Sequence, residues 1–169
     1  MAEKRVALVT GAGSGIGRAT AGRLSEEGFH VVLAGRRAAV LKETAGQCGN
    51  GVTVLPCDLA EEDAVDALVR AVGNQVGRLD VLVNCAAHSI PGRLEDLQSR
   101  SAQQLWQVNV LAPALLTQRC LPLLTAPRRG RDARGCSARS VVINVSTSIG
   151  GRGWPGSGMY AAGRWRARA

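Results

Sequence analysis

The stretch "VALVTGAGSGIGRA", residues 6–19, constrains this chain more than any other. An apolar run ends at Thr10. Gly11, Ala12, Gly13, Ser14 and Gly15 then form a turn with almost no side chain, and Ile16 and Gly17 open a helical pattern. A strand that feeds a helix through so bare a turn is the first half of a βαβ unit. Backbone there lies open to a pyrophosphate, whose charge meets the N–H groups and the positive dipole of the helix start. Thr10, Gly11, Gly13, Ser14, Gly15, Ile16 and Gly17 are therefore the first candidates for binding a dinucleotide.

The rest of the chain repeats the alternation. "RVALVT", "HVVLAG", "VTVLPC", "LDVLVN" and "SVVINVS" are almost continuously apolar, as strands buried on both faces are. Between them, residues 15–28, 37–47, 60–76 and 100–125 have helical spacing, and Pro113 and Pro122 predict a break or kink in the last. Parallel strands joined by such crossovers make a doubly wound α/β sheet. At 169 residues the chain reads as one domain, 1–169, and it has no internal repeat.

Composition excludes several functions. No stretch reaches the ~20 apolar residues of a membrane span, and "MAEKRVALVT" lacks a signal-peptide core, so a soluble, cytoplasmic protein is expected. Cys48, Cys57, Cys85, Cys120 and Cys136 are scattered, which argues against a metal site or a disulfide framework and for reduced thiols. The net charge of +8 is concentrated late, in "APRRGRDARGCSARS" and "GRWRARA". Arginine clusters of this kind can bind nucleic acid, but stacking aromatics do not interleave them, so a solvated basic loop and tail is the preferred reading.

The spacing T-G-x-x-x-G-x-G from Thr10 to Gly17 resembles the short-chain dehydrogenase/reductase family, and further segments follow in order. "CDLA" sets Asp58 where the family contacts adenine. "LVNCAA" is similar to its N-N-A-G segment, keeping Asn84 and Ala86 but departing at Cys85 and Ala87. "WQVNVLAP" places Asn109 at the family's structural and proton-relay asparagine. The resemblance covers residues 5–164. It implies a Rossmann-type sheet of five strands in the order 3-2-1-4-5, with the family's later strands missing from this chain.

The resemblance also implies a nicotinamide cofactor and a carbonyl or alcohol substrate. After the second strand, Gly35 stands where a carboxylate would accept the ribose hydroxyl of NAD, and Arg36 and Arg37 follow. A guanidinium suits the 2′-phosphate of NADP, so NADP is expected through Arg36. NAD stays open, since the glycine turn lacks the second basic residue of many NADP-dependent members.

By the same resemblance Tyr160 is the acid/base. Thr147, thirteen residues earlier, or its neighbour Ser148 is the hydroxyl that binds the substrate oxygen, with Ser146 a weaker substitute. Arg164 stands four residues after Tyr160, in place of the family's lysine. It brings a cation that favours phenolate but does not release a proton. "YAAGRWRARA" has Gly163 within the would-be helix and no apolar stripe, and 160–169 reads as an atypical tail, out of frame or belonging to a fragment. Two functions therefore remain open: an NADP-dependent oxidoreductase, and a dinucleotide-binding remnant or pseudoenzyme with little catalysis. "SVVINVS" is expected to be an exposed sheet edge through which copies pair or aggregate.

Overall fold

The computed structural model describes residues 4–126, 139–147, 156, 159 and 160. Residues 127–138 of the arginine-rich stretch, Cys136 among them, together with Ser148, Arg164 and the tail beyond Tyr160, lie outside the described residues.

Five strands, β1 (Val6–Thr10), β2 (His30–Gly35), β3 (Val52–Pro56), β4 (Val81–Asn84) and β5 (Val141–Asn144), pair in parallel in the order β3-β2-β1-β4-β5. The helices between them are α1 (Gly15–Glu26), α2 (Ala38–Gln47), α3 (Glu62–Val76), α4 (Ser99–Trp106) and α5 (Ala112–Leu124). This is the doubly wound Rossmann-type sheet that the alternating pattern predicts.

Side chains alternate across each strand, so one strand feeds two cores. Val6 and Leu8 of β1, Val32 and Ala34 of β2, and Leu82 of β4 meet α3 and α5 through Val65, Leu68, Val72, Leu116 and Cys120. Ala7, Val9, Val31, Leu33 and Val83 point the other way, onto Ala21 of α1 and Leu41 of α2. At roughly 1.5–3 kcal/mol for each large apolar side chain fully withdrawn from water, these two layers supply most of the drive to fold. A polar tie closes the N-terminal end of the sheet: Asp80 Oδ2 accepts the Val6 N–H at 2.6 Å, and Arg78 donates to the Lys4 carbonyl.

β5 is the sheet edge expected of "SVVINVS", and although its run has the apolar pattern of a buried strand, Val141 and Ile143 are 48% and 44% exposed. Their register neighbours Val81 and Val83 belong to the face that α1 and α2 cover, and those helices pack mainly over β1, β2 and β3. The helical stretch 100–125 is broken, as its prolines predict, and the break is a π-helical turn, Gln107–Leu111, just ahead of Pro113, whose register is marked by the Ala112 N–H donating to the Gln107 carbonyl. Pro122 sits inside α5, and Pro113 stands at that helix's start.

Candidate functional site

An open cleft of about 750 Å³, solvent at its mouth included, lies along the C-terminal ends of the strands. In open parallel sheets this is where ligands bind, because crossovers leave a crevice there. Gly11, Gly13 and Ser14 form one wall, with Ala86 and His88 from the segment after β4. Arg36 and Arg37 follow β2, and Asp58 follows β3. Val108, from the π-helical turn, closes the far side.

The glycine turn is packed so closely that side chains have no room. Gly11 has φ +66°, and a Cβ there would lie 2.9 Å from the Ala86 backbone. At Gly17 a Cβ would fall 2.3 Å from the Gly11 carbonyl oxygen, so α1 begins directly against the turn. Gly15 is the opposite case: a Cβ would meet nothing within 4 Å, which leaves bare backbone facing open space.

The start of α1 is electrostatically uncompensated. Ser14, the residue before it, makes no side-chain cap, and the first turn holds no acid. The cation of that turn, Arg18, is engaged elsewhere: its guanidinium donates to the Gly13 carbonyl at 2.6 and 3.2 Å and lies 3.6 Å from Glu43. An uncapped helix start presents unpaired N–H groups and the positive end of the helix dipole, a combination suited to an anion.

Polar residues behind the cleft hold its walls together. The Thr10 hydroxyl donates to the Val83 carbonyl and accepts from the N–H groups of Cys85 (3.0 Å) and Ala86 (3.1 Å), which fixes the segment after β4 against the glycine turn. Asn84 is buried, and its Nδ2 donates to Asn144 Oδ1 (2.9 Å) and Thr117 Oγ1 (3.2 Å), joining β4 to β5 and α5. Asn109 is also buried. Its Oδ1 accepts the His88 N–H at 2.8 Å while its Nδ2 donates to the His88 carbonyl at 2.8 Å, so one amide satisfies both backbone groups of one residue. Pro113 has no N–H to offer Asn109, the residue four before it, so the Asn109 carbonyl is denied its α-helical partner where the π-helical turn forms.

Asp58 accepts the Ala60 N–H at 3.0 Å. Beside it, burial and then the Asp58 charge push the Cys57 thiol up to about 11, and Cys57 donates to the Ala64 carbonyl, so that wall presents a neutral sulfur. Cys48, Cys57, Cys85 and Cys120 are free thiols.

Of the candidates read from the sequence, Gly11, Gly13, Ser14, Arg36, Asp58 and Ala86 line this cleft. Thr10, Gly17, Asn84 and Asn109 support it from behind, while Gly15 and Ile16 begin α1, Ile16 largely exposed. Thr147 follows β5 and is half-buried; Met159 and Tyr160 are helical and half-buried. Met159 also borders a second hollow, with Ile90, Leu97, Gln98 and Ser101. Sequence reasoning missed His88, Val108, Thr117 and Asn144. The last three occupy ordinary helix or strand positions, and only the histidine after the "NCAA" segment was a visible signal.

The residues fit a ligand with phosphates at two places: a bare helix start on one wall and the Arg36 guanidinium after β2. Among the described residues no helix is long and apolar enough to cross a membrane.

Comparison with known proteins agrees with this architecture. The structure superposes with a TM-score of 0.85 on a 3-ketoacyl-(acyl-carrier-protein) reductase from Brucella melitensis complexed with NADH, at 31% identity, covering 98% of this chain and 66% of that one. A metagenomic short-chain oxidoreductase in complex with NADP gives 0.80 at 34% identity, covering 95% and 70%. An uncharacterised oxidoreductase of Staphylococcus aureus (strain USA300) is 34% identical over 146 residues, 86% of this chain and 63% of that protein. The chain thus spans less than two thirds of the length of the curated relatives it matches. With the short chain dehydrogenase sequence model matching residues 5–168 as well, the chain belongs to the short-chain dehydrogenase family.

Proposed function

We propose that the chain binds NADP(H) in this cleft and moves a hydride between that cofactor and a carbonyl or alcohol carbon. The observation that carries the reading is the uncapped start of α1 on one wall with Arg36 after β2 on another. The first suits a pyrophosphate and the second a 2′-phosphate. NAD is the second choice, since the solved relatives include one complex with each cofactor.

When bound, the nicotinamide supplies or accepts the hydride. Tyr160 gives the substrate oxygen its proton in reduction and takes it back in oxidation. The hydroxyl of Thr147 or Ser148 donates a hydrogen bond to that oxygen, and the Arg164 cation favours the phenolate of Tyr160. Asn109 is a positioning residue: its amide holds the wall at His88.

A second reading, a dinucleotide binder with little catalysis, is favoured by Arg164. A guanidinium keeps its proton where the family's lysine can pass one on. One preparation separates the two. NADPH affinity is measured by fluorescence, and NADPH oxidation is followed with a panel of ketones and aldehydes, for the unmodified chain and Tyr160→Phe. The oxidoreductase reading expects an unchanged NADPH affinity and at least about a hundredfold loss of hydride transfer in the variant. Undiminished turnover in Tyr160→Phe overturns the acid/base assignment. Binding without turnover in the unmodified chain supports the second reading, and failure to bind either cofactor overturns both.

A further inference from the structure

We propose that Arg18 is a positioning residue for the cofactor's pyrophosphate: held on the Gly13 carbonyl, its guanidinium turns the Ser14 N–H toward the cleft. This rests on the cleft holding a dinucleotide. The contacts fall on two successive peptides of the glycine turn. Arg18 Nη2 and Nε donate to the Gly13 carbonyl at 2.6 and 3.2 Å, a fork closing on one oxygen. One peptide earlier, the buried Thr44 hydroxyl of α2 donates to the Ala12 carbonyl at 3.1 Å. The described residues contain no cis peptide bond, and in a trans peptide the C=O and N–H point in opposite directions. Drawing the Ala12 oxygen to Thr44 and the Gly13 oxygen to Arg18 therefore sends the Gly13 and Ser14 N–H groups the other way, and both residues line the cleft.

The peptide between Gly13 and Ser14 needs such an anchor because the residue ahead of it is a glycine, whose backbone rotates with little steric restraint. Swung the other way, the Gly13 carbonyl would set its oxygen against phosphate oxygens, and both are acceptors. The guanidinium is also 3.6 Å from Glu43, but that carboxylate side chain is 64% exposed, so the ion pair adds little and the carbonyl is the anchor. Arg18 thus acts on the ligand through a backbone amide. Its effect reaches NAD and NADP alike, since both carry the pyrophosphate, whereas Arg36 and Asp58 line the cleft after β2 and β3.

Calorimetric titration of the full chain with two probes tests this. ADP-ribose carries the pyrophosphate; adenosine 2′-monophosphate carries the adenosine and the 2′-phosphate without it. Arg18→Met keeps an aliphatic stem and loses the donors, so it should weaken ADP-ribose about tenfold and leave adenosine 2′-monophosphate unchanged, which also shows that the variant is folded. Arg18→Lys keeps a cationic donor and should recover most of that loss. The loss in Arg18→Met should be the same at about 0.1 M and about 1 M salt, because screening weakens the field of a distant charge but not an amide already oriented. An unchanged affinity for ADP-ribose in Arg18→Met overturns the inference, as does an equal loss for both probes, which would mark general damage to the fold. A loss that vanishes at high salt overturns it too, since Arg18 would then act as a charge at a distance, and so does Arg18→Lys binding no better than Arg18→Met. If the unmodified chain binds neither probe, the cofactor reading itself falls. That result differs from binding that is merely independent of Arg18.

Discussion

Replacing Asn109 by alanine tests how the cleft wall is held. The amide makes two hydrogen bonds of 2.8 Å to one residue, the N–H and carbonyl of His88, from a side chain that is 2% exposed. Each bond contributes about 0.5–1.5 kcal/mol net, and a buried backbone group left unpaired costs about 1–3 kcal/mol. His88 is only half-buried, so water can re-pair part of what is lost. The expected destabilisation is therefore about 2–3 kcal/mol. With a urea dependence of about 1–3 kcal/mol per molar, the unfolding midpoint should fall by roughly 1–2 M. Because Ala86 and His88 line the cleft, NADP affinity should weaken as well. Asn109→Asp keeps the acceptor for His88 N–H, loses the donor to its carbonyl and buries a charge, so it should be no more stable than the alanine variant. Urea denaturation followed by circular dichroism, with cofactor titration on the same samples, measures both effects. An alanine variant within about 0.5 kcal/mol of the unmodified chain, with unchanged NADP affinity, would show that the double bond to His88 holds nothing in place.

Two glycines of α1 should respond in opposite directions. Gly17→Ala forces a Cβ to 2.3 Å from the Gly11 carbonyl, backbone against backbone, and should cost about 3 kcal/mol with a loss of cofactor affinity; Gly22→Ala meets nothing within 4 Å and should stabilise by about 0.5–1 kcal/mol. Thermal melting of both variants decides whether close approach or helix propensity governs each position. Burial, and then the charge of Lys4, lower the His30 pKa from its ordinary 6.5, while Nε2 meets Thr53 Oγ1 at 2.9 Å. Because the folded value is depressed, the contribution of His30 to stability is complete above 6.5 and lost as pH falls through that lowered value. His30→Gln should reduce the fall in melting temperature across that window, and an identical pH profile would contradict it.

The sheet was legible because its central strands are buried on both faces, which forces an unbroken apolar run in β1, β2 and β4. β5 has the same composition with a different outcome, since an apolar strand does not state what covers it: that depends on how far α1 and α2 reach across the sheet. The break in 100–125 was expected, but its place at 107–111 and its π form were hidden for a related reason. Prolines advertise a missing N–H, but where the helix yields depends on which carbonyl can find another partner. Here the stretch ahead of Pro113 rewinds into a π turn while α5 runs on through Pro122.

Thr10 and Asn84 show where motif reading of the site stops. Spacing put both at the cofactor end of the sheet, and both are there, but their polar atoms face the protein: the Thr10 hydroxyl spans β1 and the segment after β4, and the Asn84 amide spans β4, β5 and α5. A buried hydroxyl or amide must find partners within the fold, because each one left unpaired costs about 1–3 kcal/mol. A ligand that comes and goes cannot be the standing partner of a buried group, so polar residues at strand ends are taken first by neighbouring groups of the fold. The groups left facing the cleft are those with no such duty: the backbone of Gly13 and Ser14 and the side of the cleft that Arg36 lines. A motif thus records where a site is, while burial decides which of its members touch the ligand.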